Sequence, residues 1–334
     1  MSELPKPRNQ SRSLLRAIAA GMVIGFVVMS VAGFAFEKIA EWRDARRCPM
    51  RGTLVTLASG QRLHLDCTGG VNPIPTVILD SGGYDSSQQW RTVQDQLSPF
   101  VHVCSFDRAG YGWSDAGPEP RTSAQIVREI YEALHKSGVS GPYLYVGHSF
   151  SGLDAITFGH MHQGEVIGVV LVDSVYPAET TQFPARFAVP RWQEMILEAA
   201  AEFGVARLAG WCGDKTGACP NCARFTRAAV AMIQALPENE RQVMAIAQPG
   251  ILGATPVAVI AHDPKVGLDG PRDEAFERAW AGWQQDLLKL STNSQFQMVP
   301  GAGHEIQAGH PEIVVAAVLK ILRDAHFLPA AESR

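Results

Sequence analysis

Short apolar runs alternate with longer helix-like segments along most of this chain, and this alternation limits its fold more than any other feature. Runs such as TVILD (76–80), YLYVG (143–147) and VIGVVLVD (166–173) consist almost entirely of apolar residues, as in strands that are buried on both faces. Strands that alternate with helices form a mostly parallel sheet covered by helices on both faces. The sequence therefore predicts an α/β domain with a mostly parallel central sheet, which we place at residues 51–330.

Residues 174–255 interrupt the alternation, because they contain helix-like and loop sequence but no clear strand. An insertion of this length suits a helical cap over the carboxyl edge of the sheet, where ligands of open α/β sheets bind. The net charge of −4 and the lack of a long basic run argue against a nucleic-acid partner. The partner predicted at this edge is a small molecule.

The stretch YLYVGHSFSGLDA (143–155) leads from a predicted strand into a predicted helix through a turn at Ser149. A serine on such a sharp turn is presented as a nucleophile, and its neighbours two positions away must be small. Gly147 meets this requirement, whereas Ser151 stands where the G-x-S-x-G pattern has its second glycine. Serine is still small, so the turn remains feasible and Ser149 is the candidate nucleophile.

A serine nucleophile needs a base, and His304 is the candidate among ten histidines. It lies in QMVPGAGHEIQAGHPE, in a glycine-rich loop that follows the last predicted strand and can reach the same sheet edge as Ser149. His310 precedes Pro311 and is better explained as a residue at a helix start. HEIQAGH lacks the H-E-x-x-H spacing of a metalloprotease helix, so no metal site is predicted here.

Hydrolysis through a serine also needs amide groups that stabilise the developing oxyanion. The residue after the nucleophile, Phe150, supplies one amide. A glycine-rich loop after an early strand should supply the second, and VILDSGGYDSSQQW, which contains Gly83, is such a loop.

Four motifs in a fixed order make the chain from about residue 51 to 325 resemble an α/β-hydrolase. VILDSGGYDSSQQW is similar to the first oxyanion loop of that family, SFDRAGYGWSD to its strand-four exit, GHSFSG to its nucleophile elbow and PGAGH to its histidine loop. The resemblance implies an α/β-hydrolase fold with an inserted cap, an oxyanion hole at Gly83 and Phe150, a structural role for Asp107, and no cofactor.

The acid of the expected triad departs from the family pattern. Where the family commonly has Gly-x-x-Asp after strand seven, PVAVIAHDPKVGL has His262 at the glycine and Lys265 at the acid. Lysine cannot accept a hydrogen bond from an imidazole. Some family members place the acid after the preceding strand, which ends here in Asp173, so we expect Asp173 to be the acid. Asp263, two positions early, remains the alternative, and Asp173 would then only cap the following turn.

These residues predict a serine hydrolase that cleaves a carboxylic ester or related acyl compound through an acyl-enzyme. Ser149 attacks, His304 acts as base and then as acid, and Asp173 orients His304.

Two alternative functions remain open. A proline-type aminopeptidase would bind its substrate amine through carboxylates in the cap, for which Glu194, Glu198 and Glu202 are candidates. A non-catalytic hydrolase-like binding protein is the other, because Ser151 and the displaced acid depart from the family pattern.

Residues 17–36 contain no charged side chain, and twenty helical residues roughly match the ~30 Å hydrocarbon core of a bilayer. Basic residues precede this run. We therefore expect residues 1–50 to form a single-pass membrane anchor and a linker, with the large domain on the extracytoplasmic side. A cleaved signal, with GFA at 33–35, and a buried core helix are the alternatives.

Six cysteines, an even number, are compatible with disulfides in an exported domain. The family resemblance puts Cys67 and Cys104 on neighbouring strands, so they are expected to pair; two buried free thiols are the alternative. CGDKTGACPNC (212–222) has three cysteines and no histidine, and zinc binding is not predicted for it.

Overall fold

The central feature of the fold is a single eight-stranded sheet. The computed structural model describes residues 10–70, 75–210, 221–268 and 273–330. The strands in these ranges are β1 (Thr53–Thr56), β2 (Arg62–Thr68), β3 (Thr76–Asp80), β4 (His102–Asp107), β5 (Tyr143–His148), β6 (Val166–Val172), β7 (Val257–Ala261) and β8 (Ser294–Met298). They lie in the order β1-β2-β4-β3-β5-β6-β7-β8. β1 and β2 form an antiparallel hairpin and β2 pairs antiparallel with β4, while every later pair is parallel.

Helices connect the strands and cover both faces of the sheet. The helices of the described residues are α1 (Gln10–Arg47), α2 (Arg91–Leu97), α3 (Ser123–Lys136), α4 (Ser151–Met161), α5 (Glu179–Gln182), α6 (Pro184–Phe187), α7 (Arg191–Glu202), α8 (Val205–Leu208), α9 (Cys222–Ile246), α10 (Glu274–Leu287), α11 (Ile306–Gly309) and α12 (Pro311–Asp324).

Successive side chains of the central strands point to opposite faces, so there is a hydrophobic core on each side of the sheet. Ile78 of β3 and Tyr145 of β5 belong to the core that includes apolar residues of α3, α4 and α10. Their neighbours Leu79 and Val146 belong to the core built with α2 and α12. This architecture confirms the predicted mostly parallel α/β sheet flanked by helices.

The chain between β6 and β7 carries five helices, α5 to α9, and no strand among its described residues. We call residues 174–255 the cap segment. Its longest helix, α9, packs against α4 of the main body and against α7 within the cap segment. The cap segment therefore rests on the helix that follows Ser149. The domain limits given above remain predictions.

The first helix is long, and its apolar part is exposed. α1 runs from Gln10 to Arg47, and by length and composition it can cross a membrane. None of its most apolar window is buried. Its carboxyl-terminal part contacts the cap segment, where the Arg207 guanidinium pairs with Glu37 at 2.9 Å and also with Asp44. The helix therefore continues through much of the predicted linker.

The predicted disulfide between Cys67 and Cys104 is present. The two cysteines face each other in the register of β2 and β4. Cys48 and Cys222 are also disulfide-bonded. Most of the CGDKTGACPNC segment, including Cys212 and Cys219, lies outside the described residues.

Candidate active site

Ser149 lies on a strained turn between β5 and α4. Its φ of +53° is in the left-handed region, which non-glycine residues rarely adopt and which clusters at functional sites. A Cβ at Gly147 would lie 2.5 Å from the Ser151 carbonyl oxygen, and a Cβ at Gly152 would lie 2.4 Å from the Ser174 Cβ. The turn therefore requires glycine at 147 and 152. Ser151 fits because its hydroxyl donates to the Asp80 carbonyl oxygen at 2.7 Å.

Three predicted residues meet at the carboxyl edge of the sheet. Ser149 follows β5, Asp173 follows β6, and His304 lies in the loop after β8. The Ser149 hydroxyl donates to His304 Nε2 at 2.9 Å, and His304 Nδ1 donates to Asp173 Oδ2 at 2.6 Å. Asp173 is fully buried, whereas the His304 side chain is 18% exposed. His304 is therefore partly accessible, whereas Asp173 is shielded from solvent.

Asp263, the alternative acid, makes different contacts. Its Oδ1 accepts from the Lys265 amide at 3.0 Å and its Oδ2 accepts from the Gly301 amide at 3.0 Å. The bond from Gly301 ties together the loops that follow β7 and β8. Asp263 thus supports the loop that carries His304, whose ring is bonded to Asp173 instead.

Asp173 has a second histidine partner, which the sequence reasoning did not find. His262 Nδ1 lies 2.9 Å from both oxygens of Asp173, and His262 Nε2 lies 3.0 Å from Glu277 Oε2. The Trp280 indole also donates to Asp173, at 2.9 Å. Glu277 and Trp280 come from α10, at i and i+3, so one helix face supplies both. The only sequence signal was the histidine that replaces the usual glycine at position 262.

The charges at this site follow from these contacts. Burial would raise the pKa of Asp173, but hydrogen bonds from His262 and His304 hold it well below its usual value. Burial lowers the pKa of His262, but Asp173 and Glu277 outweigh that effect and raise it to about 9. Burial likewise lowers the pKa of His304, and its bond to Asp173 more than compensates, so the net shift is upward. Asp173 is therefore an anion and His262 a cation at neutral pH.

The loop after β3 turns its carbonyl groups toward the interior. Arg108 donates to the Ser81 oxygen at 2.7 Å and to the Gly82 oxygen, and the Tyr111 hydroxyl donates to the Gly83 oxygen at 2.7 Å. In a trans peptide the N–H points away from its carbonyl. The Gly83 N–H therefore points away from Arg108.

The peptide that follows the candidate nucleophile has the same arrangement. The Ser149 oxygen accepts from Gly152 N–H at 3.0 Å and Val175 N–H at 2.9 Å, so the Phe150 N–H points away from those donors. Gly83 and Phe150 both line the cavity beside Ser149. The two residues predicted to supply the amide donors are thus on the cavity wall.

A cavity of about 540 Å³ opens at Ser149 and His304. Its walls are mostly apolar, and the cap segment contributes Phe187, Val189, Met232 and Leu236. The charged residues that line it include Arg186, Glu305 and Glu179, and Glu179 Oε1 is buried without a hydrogen-bond partner among the described residues. Burial, with the nearby Glu240, raises the pKa of Glu179 well above its usual value.

The glutamates that the sequence suggested for amine binding do not line this cavity. Glu194 accepts a hydrogen bond from Gln234 at 2.7 Å, and Glu202 pairs with Arg227. Sequence reasoning missed Glu179 because a short helix after a loop gives no pattern that points inward.

Two side-chain clusters of the described residues have spacings that could hold a metal ion. Cys67, His102 and Cys104 form one, but its two sulfurs are joined in the disulfide. His148, His304 and Glu305 form the other, in which His304 is already bonded to Ser149 and Asp173. Neither donor set is free to bind a metal without losing those bonds.

Known proteins are similar to this chain in sequence and in fold. A model of the Alpha/beta hydrolase family matches residues 77–317. The chain is similar to a thermophilic esterase from Thermogutta terrifontis, with a TM-score of 0.57 and 19% identity, over 82% of this chain and 98% of that one. At this identity the likeness shows the fold alone.

Two curated relatives are each 26% identical to this chain. One is a probable transporter, efuK, of Hormonema carpetanum, matched over 72% of this chain, and the other is an uncharacterized protein of Schizosaccharomyces pombe, matched over 76%. The matches span only 38% and 52% of the lengths of those relatives.

Proposed function

This chain belongs to the alpha/beta hydrolase family, and we propose that it is a serine hydrolase that cleaves a carboxylic ester or a related small acyl compound. The observation that carries the proposal is the chain of hydrogen bonds from Ser149 through His304 to Asp173. The mostly apolar cavity beside Ser149 suits an acyl chain.

The proposed reaction starts with attack of the Ser149 Oγ on the acyl carbonyl, while His304 Nε2 takes the hydroxyl proton. The anionic tetrahedral intermediate accepts hydrogen bonds from the Gly83 and Phe150 amides. His304 then gives its proton to the leaving alcohol, and an acyl-enzyme remains. Water, activated by the same imidazole, releases the acid and restores Ser149. Asp173 holds His304 with Nε2 free to act as the base.

The first experiment tests whether Ser149 and His304 act as one unit. Ser149→Ala and His304→Ala should each lower kcat on short p-nitrophenyl esters by several orders of magnitude, about 10³ or more, and the double variant should lose little more. A fluorophosphonate probe should label the wild-type protein but not Ser149→Ala. Ester turnover near the wild-type rate in Ser149→Ala would show that Ser149 is not the nucleophile.

A screen of esters of increasing acyl length identifies the acyl group, and one observation favours adding amine-bearing substrates to it. Glu179 lines the cavity, and within the described part of the chain its Oε1 is buried without a hydrogen-bond partner. A substrate ammonium group would supply a hydrogen-bond donor to Glu179, as the aminopeptidase alternative requires. Preferential cleavage of amino-acyl amides over alkyl esters, lost in Glu179→Gln, would favour that alternative.

We also propose that α1 is a retained single-pass anchor and that the hydrolase domain is extracytoplasmic. The apolar, exposed part of α1 supports the anchor, and the close approach of Gly33 to the Phe203 carbonyl oxygen supports retention, because cleavage at GFA (33–35) would remove Gly33. The Cys67–Cys104 disulfide supports an oxidising compartment. Carbonate-washed membranes should retain the full chain. A shortened, soluble protein would contradict the anchor.

A further inference from the structure

The cap segment exposes apolar side chains where a globular protein would normally place polar ones. In α7, Trp192, Met195 and Ile196 have the i, i+3, i+4 spacing of one helix face, and all three are more than half exposed. The opposite face of α7 buries Glu194 and Ala201 against the rest of the cap segment. The helix therefore turns its apolar face outward.

The exposed face continues past the end of α7. We call its members the cap stripe, whose exposed fractions run from 40% to 75%: Trp192, Met195, Ile196, Phe203, Val205 and Leu208. Contiguous apolar surface of this kind marks an interaction site, since burying such side chains is favourable.

The cap stripe lies against the apolar part of α1. A Cβ at Gly33 would lie 2.6 Å from the Phe203 carbonyl oxygen, and one at Gly204 would lie 2.7 Å from the Phe36 ring. Arg207, between the last two stripe residues, pairs with Glu37 of α1, and Glu37 is fully buried. The apolar surface of α1 and the cap stripe thus meet at Phe203.

The position of the Gly33–Phe203 contact along α1 indicates what covers the cap stripe. Gly33 is three residues inside the end of the uncharged run 17–36, or roughly 4.5 Å at the helical rise. Helices that lie in a membrane interface bury their apolar face about 5–10 Å into the boundary between headgroups and acyl chains. When α1 spans a bilayer with this run in the hydrocarbon core, Phe203 therefore lies close to the shallow end of that range.

We propose that the cap stripe is a membrane-docking surface, whose occupant is the lipid interface of the bilayer that holds α1. Trp192 and Trp42, both more than half exposed, then lie where indole rings are enriched in membrane proteins. The mouth of the cavity is next to this surface, because Val189 lines the cavity and is partly exposed just before α7. If the proposed hydrolase function also holds, the substrate is an amphiphilic acyl ester drawn from the membrane.

The direct test uses the full chain in phosphatidylcholine vesicles that contain dibrominated phosphatidylcholine, which quenches tryptophan on contact. Of the seven tryptophans, Trp192 should supply a distinct share of the quenched emission. Trp192→Phe should remove that share, with the same protein in unbrominated vesicles as the reference. Equal fractional quenching of the two proteins would overturn the proposal.

A second pair of variants links docking to activity. Met195→Glu places a charge in the stripe, whereas Met298→Glu places the same charge on β8, where Met298 is 42% exposed outside the stripe. Met195→Glu should leave hydrolysis of a water-soluble ester unchanged. It should lower hydrolysis of a vesicle-embedded ester at least about tenfold, because burying a methionine side chain favours the docked state by about tenfold or more. Met298→Glu should change neither.

The readouts separate the two proposals. If neither ester is hydrolysed by the wild-type protein, the proposed function fails, while quenching of Trp192 still tests docking. If Met195→Glu converts a detergent-solubilised dimer to a monomer and Trp192 is not quenched by lipid, the stripe binds a second copy of the chain. Membrane docking would then be wrong.

Discussion

His262 lies 2.9 Å from the carboxylate of Asp173, which also accepts a hydrogen bond from His304. The second partner changes the electrostatics of the proposed triad. His262 is a cation at neutral pH, and it is held between two carboxylates, Asp173 and Glu277. Part of the negative charge of Asp173 is therefore compensated, so Asp173 stabilises the protonated form of His304 less than an unpaired aspartate would.

This arrangement predicts a change in the pH profile. Titratable groups around His262 are Asp173, Glu277, His304 and the more distant Asp263. Replacing His262 by Asn removes a cation that lowers the pKa of His304, so the pKa of His304 should rise. The acidic limb of the kcat/KM profile should then move to higher pH. His135→Asn, at an exposed position of α3, is the control, and an unmoved limb in His262→Asn would refute the assignment.

The acid itself is tested by two matched substitutions. Asp173→Asn should lower kcat by at least about 10², and up to about 10⁴, because an asparagine no longer fixes the tautomer of His304. Asp263→Asn should have a much smaller effect, because its contacts are to loop amides. Circular dichroism checks that both variants fold. Near-normal turnover in Asp173→Asn with collapse in Asp263→Asn would reverse the assignment.

Removing the disulfide between β2 and β4 should destabilise the fold without affecting the chemistry. The bond closes a loop with a sequence separation of 37, for which chain entropy gives roughly 3–4 kcal/mol. The double variant Cys67→Ala/Cys104→Ala should show a lower Tm and unchanged kcat on a soluble ester below its unfolding range. An unchanged Tm would mean that the pair adds nothing to stability.

Glu179 predicts a pH-dependent stability. Its pKa is raised in the folded protein, chiefly by burial, so the unfolded chain releases this proton first as the pH rises. The stability that it contributes is complete below the usual glutamate pKa and is lost as the pH rises toward the higher folded value. Glu179→Gln lacks this titration, so its stability relative to wild type should increase with pH.

Thermal unfolding of the detergent-solubilised protein at a series of pH values measures this effect. Glu198→Gln, at a half-buried position of α7 outside the cavity lining, is the matched control. Parallel Tm curves for wild type and Glu179→Gln would contradict the prediction.

Much of the fold could be predicted from the sequence, because buried parallel strands are apolar at consecutive positions and each is followed by a helix. Ser149 and His304 could be chosen as candidates because local glycines mark their turns. The role of Asp173 was harder to predict, since an aspartate at the end of a buried strand can also cap a turn. The partners of His262 could not be predicted, because Glu277 and Trp280 reach it from α10 only through tertiary packing.

The junction between β6 and the cap segment has a consequence for protein engineering. Directly after Asp173, the Ser174 hydroxyl donates to the Gly147 oxygen at 3.1 Å and Val175 N–H donates to the Ser149 oxygen at 2.9 Å. The first residues of the cap segment therefore help to hold the turn at Ser149. A chimera that exchanges this insertion for one from a relative, to change selectivity, should keep the host residues through Val175. A splice placed earlier would replace the bonds that hold Ser149 in its strained conformation.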